Sequence, residues 1–180
     1  IRPGTDGLLI MALIHELLQA DKIDLDYLVR YTNAPWLVIR DEGAGDHGLF
    51  ARDADGHPLA NDRKSGKLVS ALDAEIQPIM VGETTLPDGR EVVPAFQLMV
   101  ERYLSEEYAP DAVAERCGVP ADTIRRLAAE LAHAAFEKEI ALDVEWTDWA
   151  GRKQDKRIGR PGAMHAMRGI AAHSNGFHTR

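Results

Sequence analysis

The chain has 180 residues, 45% hydrophobic and 28% charged, which is ordinary for a globular protein and enough for one sizeable core. A formal net charge of −8 leaves no broad basic face and argues against nucleic-acid binding. The single cysteine, Cys117, excludes an internal disulfide and any zinc or iron–sulfur site built from four cysteines of this chain.

Ile1-Arg2-Pro3-Gly4-Thr5-Asp6 runs straight into an apolar stretch. An Arg, a Gly and a Thr/Asp pair at a helix start, where backbone N–H groups lie exposed, suit an anionic ligand such as a phosphate. The chain opens in mid-motif with no initiator Met, which predicts a piece of a longer protein. Leu8, Leu9, Ile10, Met11, Leu13, Ile14, Leu17 and Leu18 predict a helix apolar on most sides, buried between other elements, with Thr5 or Asp6 as its N-cap. His15 and Glu16 interrupt it, so it falls short of the roughly 18 apolar residues of a membrane span. Asp24 starts a shorter helix carrying Tyr27, Leu28 and Tyr31, ended by Pro35, and Trp36-Leu37-Val38-Ile39 reads as a short buried strand.

Residues 40–93 are rich in Asp and Gly and predict a β-rich excursion of loops and hairpins. Asp55-Gly56 and Pro87-Asp88-Gly89-Arg90 mark two of its turns. Helices return after Pro94: one with Phe96, Leu98, Met99, Val100, Tyr103 and Leu104, a second over Pro110 to Arg116 closed by Gly118, and a third over Pro120 to Phe136. Ile140 to Val144 reads as a strand, Gly151 to Arg160 as a polar loop, and Pro161 to His173 as a last helix stopped by Asn175-Gly176.

Three motifs have two readings each. Ala112 to Leu131 has the spacing of a helix-turn-helix, and a DNA-binding regulator using residues 110–131 is the alternative function. Against it, Arg125 and Arg126 stand among Glu106, Glu107, Asp111, Glu115, Asp122 and Glu130, whereas a recognition helix needs unpaired cations for phosphates. Two packed helices joined by a Gly turn are favoured. His165, His173 and His178 lack the i,i+4 spacing of helical zinc sites, and no metal ligand is assigned. Trp146-Thr147-Asp148-Trp149 follows a strand end, where α/β sheets place ligands, so it lines a pocket or pins a loop to the core. No dinucleotide fingerprint, Walker loop, nucleophile elbow or His-Glu-x-x-His is present, so the catalytic residues are unknown.

The opening Ile1-Arg2-Pro3-Gly4-Thr5-Asp6-Gly7, with its apolar helix, resembles the dimethyl sulfoxide reductase family of molybdopterin oxidoreductases. Tyr108 to Leu131 is similar to that family's Tyr-x-Pro…Gly-Val-x-x-x-x-Ile segment, and Arg168 to Gly176 to its Gly-x-x-x-His-x-Asn-Gly loop, in the same order. The resemblance implies that Arg2, Gly4, Thr5 and Asp6 contact a bis-molybdopterin guanine dinucleotide carrying molybdenum or tungsten: Arg2 on a phosphate, the Gly4 backbone in close approach, Thr5 and Asp6 capping the helix or holding ribose or guanine edges. Arg168, Gly169, His173, Asn175 and Gly176 are implied contacts near the second dinucleotide. It also implies that the molybdenum ligand and the 4Fe-4S cysteines lie upstream of Ile1, so that these residues alone are inactive. Residues 40–93 carry no motif of the family and resemble an insertion of the branch acting on sulfur oxyanions.

The expected fold is therefore α/β: a partial nucleotide-binding α/β domain, mostly helical, with a few short strands and the hairpin excursion. The expected divisions are 1–39, 40–93 and 94–180. The expected parent is the catalytic subunit of an oxidoreductase whose substrate is sulfite, thiosulfate, tetrathionate or polysulfide, with formate or nitrate chemistry still open. Its implied partners are a small-molecule substrate, an iron–sulfur electron-transfer subunit and a membrane anchor subunit, with no nucleic acid and no direct membrane contact. Its location is unknown from the sequence, with the cytoplasmic and the periplasmic face of a bacterial membrane complex both open.

Overall fold

The computed structural model describes residues 1–148 and 150–162. In chain order the elements are α1 (Asp6–Gln19), α2 (Leu25–Tyr31), β1 (Leu37–Ile39), β2 (Leu59–Asp62), β3 (Lys67–Ser70), β4 (Thr84–Thr85), β5 (Glu91–Pro94), α3 (Ala95–Tyr103), α4 (Pro110–Cys117), α5 (Ala121–Ala132), β6 (Ile140–Leu142), β7 (Trp146–Thr147), β8 (Lys153–Gln154) and β9 (Arg157–Gly159). The mixed α/β expectation is borne out. The chain divides into two compact units, one of Ile1–Lys22 with the described residues from Tyr103 on, the other of Ile23–Arg102.

The first unit is built on α1, α4 and α5. α1 starts after Gly4, whose φ of +81° turns the chain, and ends in a Schellman motif. There the Lys22 N–H donates to the Leu17 carbonyl and the Asp21 N–H to that of Leu18, with Asp21 at φ +52°. Asp tolerates that conformation better than most residues. Pro110 opens α4 at a position where its missing N–H costs nothing, and Gly118 at φ +75° closes it. α5 buries Ile124, Ala128 and Ala132, spaced four residues apart on one face. Ile124 and Ala128 meet Ala12 and Leu13 of α1 and Val113 and Cys117 of α4 in one apolar core. Burying each large side chain of that set contributes about 1.5–3 kcal/mol. Beyond α5 a π turn, His133–Glu137, leads to two antiparallel ribbons, β6 with β9 and β7 with β8.

Two sequence expectations change here. Gly151 to Arg160 contains β8 and β9 rather than a loop. Its residues show no hydrophobic alternation because both faces of β9 are exposed, so period-2 patterning had nothing to mark. The third long helix ends at Ala132 in α-helical form, four residues before Phe136, with the π turn beyond.

The second unit holds α2, the antiparallel sheet β1-β5-β4, the hairpin β2-β3 and α3 as far as Arg102. Asp24 caps α2 as its sequence predicts, its Oδ1 accepting the Tyr27 N–H at 2.9 Å. The sheet buries Leu37, Ile39 and Val92 against Ala51 and Leu86. Asp55-Gly56 and Pro87–Arg90 form the expected turns, with Gly56 at φ +85° and Gly89 at φ +92°. No helix among the described residues is long and apolar enough to cross a membrane.

Candidate functional site

The opening turn lies in the first unit. Residues 1–4 are exposed, and Thr5 and Asp6 are half-buried. The Arg2 backbone is held on both sides: its N–H donates to the Cys117 carbonyl at 2.7 Å, and its own carbonyl accepts the Thr5 hydroxyl at 2.7 Å and the Thr5 N–H at 3.3 Å. Thr5 occupies the N-cap position but makes no side-chain capping bond. The expectation that Thr5 caps α1 is therefore corrected, because its hydroxyl is committed to closing the turn. The first-turn amides of α1 have no intrahelical acceptors, as at any helix start, and here no N-cap side chain takes them.

The side chains around this turn are open to a ligand. Among the described residues no carboxylate pairs with the Arg2 guanidinium. Nothing lies within 4 Å of the position a Gly4 Cβ would take, so the backbone can be approached closely there. Asp6 sits in the first turn of α1, where its charge is favoured by the helix dipole. A carboxylate there repels a phosphate, so its chemistry fits hydroxyl or N–H donors such as a ribose or a guanine edge. Guanidinium and free amides accept the anion, and the carboxylate accepts donors beside it. Arg168, Gly169, His173, Asn175 and Gly176, like the C-terminal histidines, lie outside the described residues. The structure brings together Arg2, Gly4, Thr5 and Asp6, and adds a partner the motif did not single out, the Cys117-Gly118 end of α4. The glycine was visible in the sequence, but only as a helix stop.

The Trp146 cluster takes a different form from the one its spacing predicts. Every named strand pairing is antiparallel, so no parallel-sheet carboxyl edge exists there among the described residues. Trp146 and Thr147 do line an open groove of about 350 Å³, with Glu145, Lys153, Gln154 and Asp155. Trp146 Nε1 donates to the Lys156 carbonyl at 2.8 Å, and the Arg157 guanidinium lies 5.5 Å from its ring centre. Asp148 is structural: its carboxylate accepts the Arg152 N–H at 2.9 Å, the Ala150 N–H at 3.0 Å and Arg152 Nε at 2.8 Å. Those bonds, the Arg152 amide foremost, hold its pKa below the ordinary carboxylate value. Trp149 is outside the described residues.

The helix-turn-helix mimic resolves into packed helices. Arg125 is engaged by Asp111 and by Asp122 at 3.4 Å, and Arg126 by Glu130 at 2.6 Å. In the second unit, ligand atoms of Asp53, Asp55 and His57 lie within 4.8 Å of one another. Asp53 is occupied with turn closure, its Oδ1 accepting the His57 N–H at 2.8 Å and the Asp55 N–H at 3.0 Å.

No family model matches the chain. Comparison with curated proteins finds relatives that are dehydrogenase subunits, in keeping with the family that the ordered motifs resemble. In particular the chain is 45% identical to a sulfite dehydrogenase subunit of Allochromatium vinosum, over 99% of this chain and 19% of that protein. It is 28% identical to the formate dehydrogenase-O major subunit of Escherichia coli strain K12, over 83% of this chain and 14% of that protein. The chain thus spans about a fifth of the first relative and about a seventh of the second.

Proposed function

We propose that this chain is part of the catalytic subunit of a molybdenum-dependent oxidoreductase that oxidises or reduces an inorganic sulfur compound, with sulfite the first candidate. The observation that carries the reading is the 45% identity to a sulfite dehydrogenase subunit over nearly the whole chain. The opening turn supports the cofactor assignment, because its open Gly4, its guanidinium without a carboxylate partner among the described residues and its uncapped helix start are what an anionic nucleotide needs.

The proposed cofactor is a molybdopterin guanine dinucleotide, which when bound supplies a metal centre for two-electron chemistry. Arg2 holds its diphosphate through a charge-assisted hydrogen bond, worth about 1.5–3 kcal/mol. The first-turn amides of α1 add to that grip, Gly4 permits close approach, and Asp6 selects donor groups beside the phosphates. Oxidation of sulfite with water to sulfate releases two electrons and two protons, and an iron–sulfur partner subunit is the proposed exit for the electrons. The first relative is named as one subunit of an assembly, which supports the existence of partners.

The test uses the full-length protein. Molybdenum, pterin and guanine nucleotide are quantified in the purified wild type and in Arg2→Ala, and sulfite oxidation is followed with an artificial electron acceptor. The expected result is sulfite-dependent acceptor reduction by the wild type and a clear loss of bound nucleotide in the variant. Full cofactor content in Arg2→Ala would remove the turn from the cofactor site. A loaded wild type inert toward sulfite, thiosulfate, tetrathionate and polysulfide would remove the substrate class.

A further inference from the structure

The turn between α4 and α5 has so far only a structural role, yet it is where Arg2 is seated. Gly118 holds φ +75° there. A Cβ on Gly118 would fall 3.2 Å from Arg2 Cγ, 3.5 Å from Nε and 3.8 Å from Cδ. The volume that a side chain would fill is taken by the Arg2 stem. The preceding residue supplies the second contact, since the Cys117 carbonyl accepts the Arg2 N–H at 2.7 Å. Cys117 is itself completely buried, in the core that α4 and α5 share with α1. The seat of Arg2 and the helix start beside it therefore belong to one packed body.

We propose that Gly118 is a positioning residue for cofactor binding: its missing side chain lets the Arg2 stem lie along the α4–α5 turn, and so sets where the guanidinium meets the anionic part of the nucleotide. The inference rests on the reading of the opening turn as a nucleotide contact. It also gives the helix-turn-helix-like segment a function, as a seat for an arginine. A methyl at 3.2 Å forces the Arg2 stem to give way by a few tenths of an ångström, which moves the guanidinium at its far end.

The test is a double-mutant cycle in the full-length protein, with wild type, Arg2→Ala, Gly118→Ala and the double variant. The readouts are guanine nucleotide retained after gel filtration, released by acid and quantified, and the thermal midpoint. Arg2→Ala is expected to lower retention about tenfold, the loss of one charge-assisted bond. Gly118→Ala lowers it about threefold or more with Arg2 present and not at all in the Arg2→Ala background, where no stem remains to be displaced. Backbone strain at Gly118 lowers the thermal midpoint equally in both backgrounds. A merely structural Gly118 would lower retention by the same factor with and without Arg2, which overturns the positioning role while leaving the cofactor reading intact. If Arg2→Ala retains nucleotide like the wild type, the cofactor reading fails and the positioning role falls with it. Gly118→Asn, which tolerates a left-handed backbone but carries the same Cβ, must follow Gly118→Ala in retention.

Discussion

His15 Nδ1 lies 2.8 Å from the Tyr103 carbonyl oxygen, and His15 is only 3% exposed although it sits in the middle of an apolar helix. The ring must carry a proton on Nδ1 to donate to that carbonyl. The residue that interrupts α1 in sequence therefore satisfies a distant backbone carbonyl. His15→Ala leaves that carbonyl without its donor and opens a cavity, so a loss of about 2–4 kcal/mol is expected. Urea unfolding of wild type and variant measures it, and a change within error would mean the bond contributes nothing.

Asp62 carries the pH dependence. The Ser65 hydroxyl at 2.7 Å, the Gln77 N–H at 3.0 Å and the Ser65 N–H at 2.8 Å all donate to its carboxylate. They lower its pKa from 3.8 to about 2. A depressed folded value means stability that is fully present above pH 3.8 and lost as pH falls through about 2. Asp62→Asn is expected to be less stable at neutral pH and to show a flatter acid limb. Parallel acid limbs for the two proteins would sink this account.

Ile124 is completely buried in the core shared by α1, α4 and α5. Ile124→Ala should cost about 2–5 kcal/mol through lost transfer energy and a cavity. Hydrogen exchange locates the damage: amides of α1, α4 and α5 should lose protection, while those of β1 and β5 in the other unit keep theirs. Uniform loss across both units would show that the two cores unfold together.

Duplex DNA offers a clean negative expectation. Arg125 and Arg126 are engaged by Asp111, Asp122 and Glu130, and the chain carries a net charge of −8. Fluorescence anisotropy at low salt should show no saturable binding. Tight binding that weakens steeply with added salt would revive the regulator reading of residues 110–131.

Gly4 tests the shape of the opening turn. At φ +81° any side chain is strained, yet nothing crowds the Cβ position. Gly4→Ala should therefore cost about 1 kcal/mol, from backbone strain alone. In the full-length protein its nucleotide loss should exceed what that strain explains, because the methyl intrudes on the side from which a ligand approaches. Retention equal to wild type would place the ligand elsewhere.

Local chemistry made much of the fold readable. Asp24 caps α2, Pro110 opens α4 and Gly118 closes it, and Asp55-Gly56 and Pro87–Arg90 turn where they were expected to. Each of these needs only a few neighbouring atoms: a side-chain oxygen for an orphan amide, or a residue free to take positive φ. The family likeness was legible for the same reason, since Ile1 to Gly7 is a contiguous motif whose residue types state their own chemistry. β6 was read as a strand, but its partner β9 was not, because a strand exposed on both faces leaves no alternation in the sequence.

By itself, then, the amino-acid order determined the starts of α2 and α4, the tight turns and the contiguous motif at Arg2 to Asp6. Only the tertiary structure decided that the Thr5 hydroxyl turns back to the Arg2 carbonyl, that His15 reaches Tyr103, and that Arg2 rests on the Cys117-Gly118 turn. The Thr5 hydroxyl had two acceptable local partners, and the closed opening turn chose between them. The other two contacts join residues far apart in the chain, and nothing near Arg2 in sequence encodes the shape of a surface that forms only when α4 and α5 pack against α1.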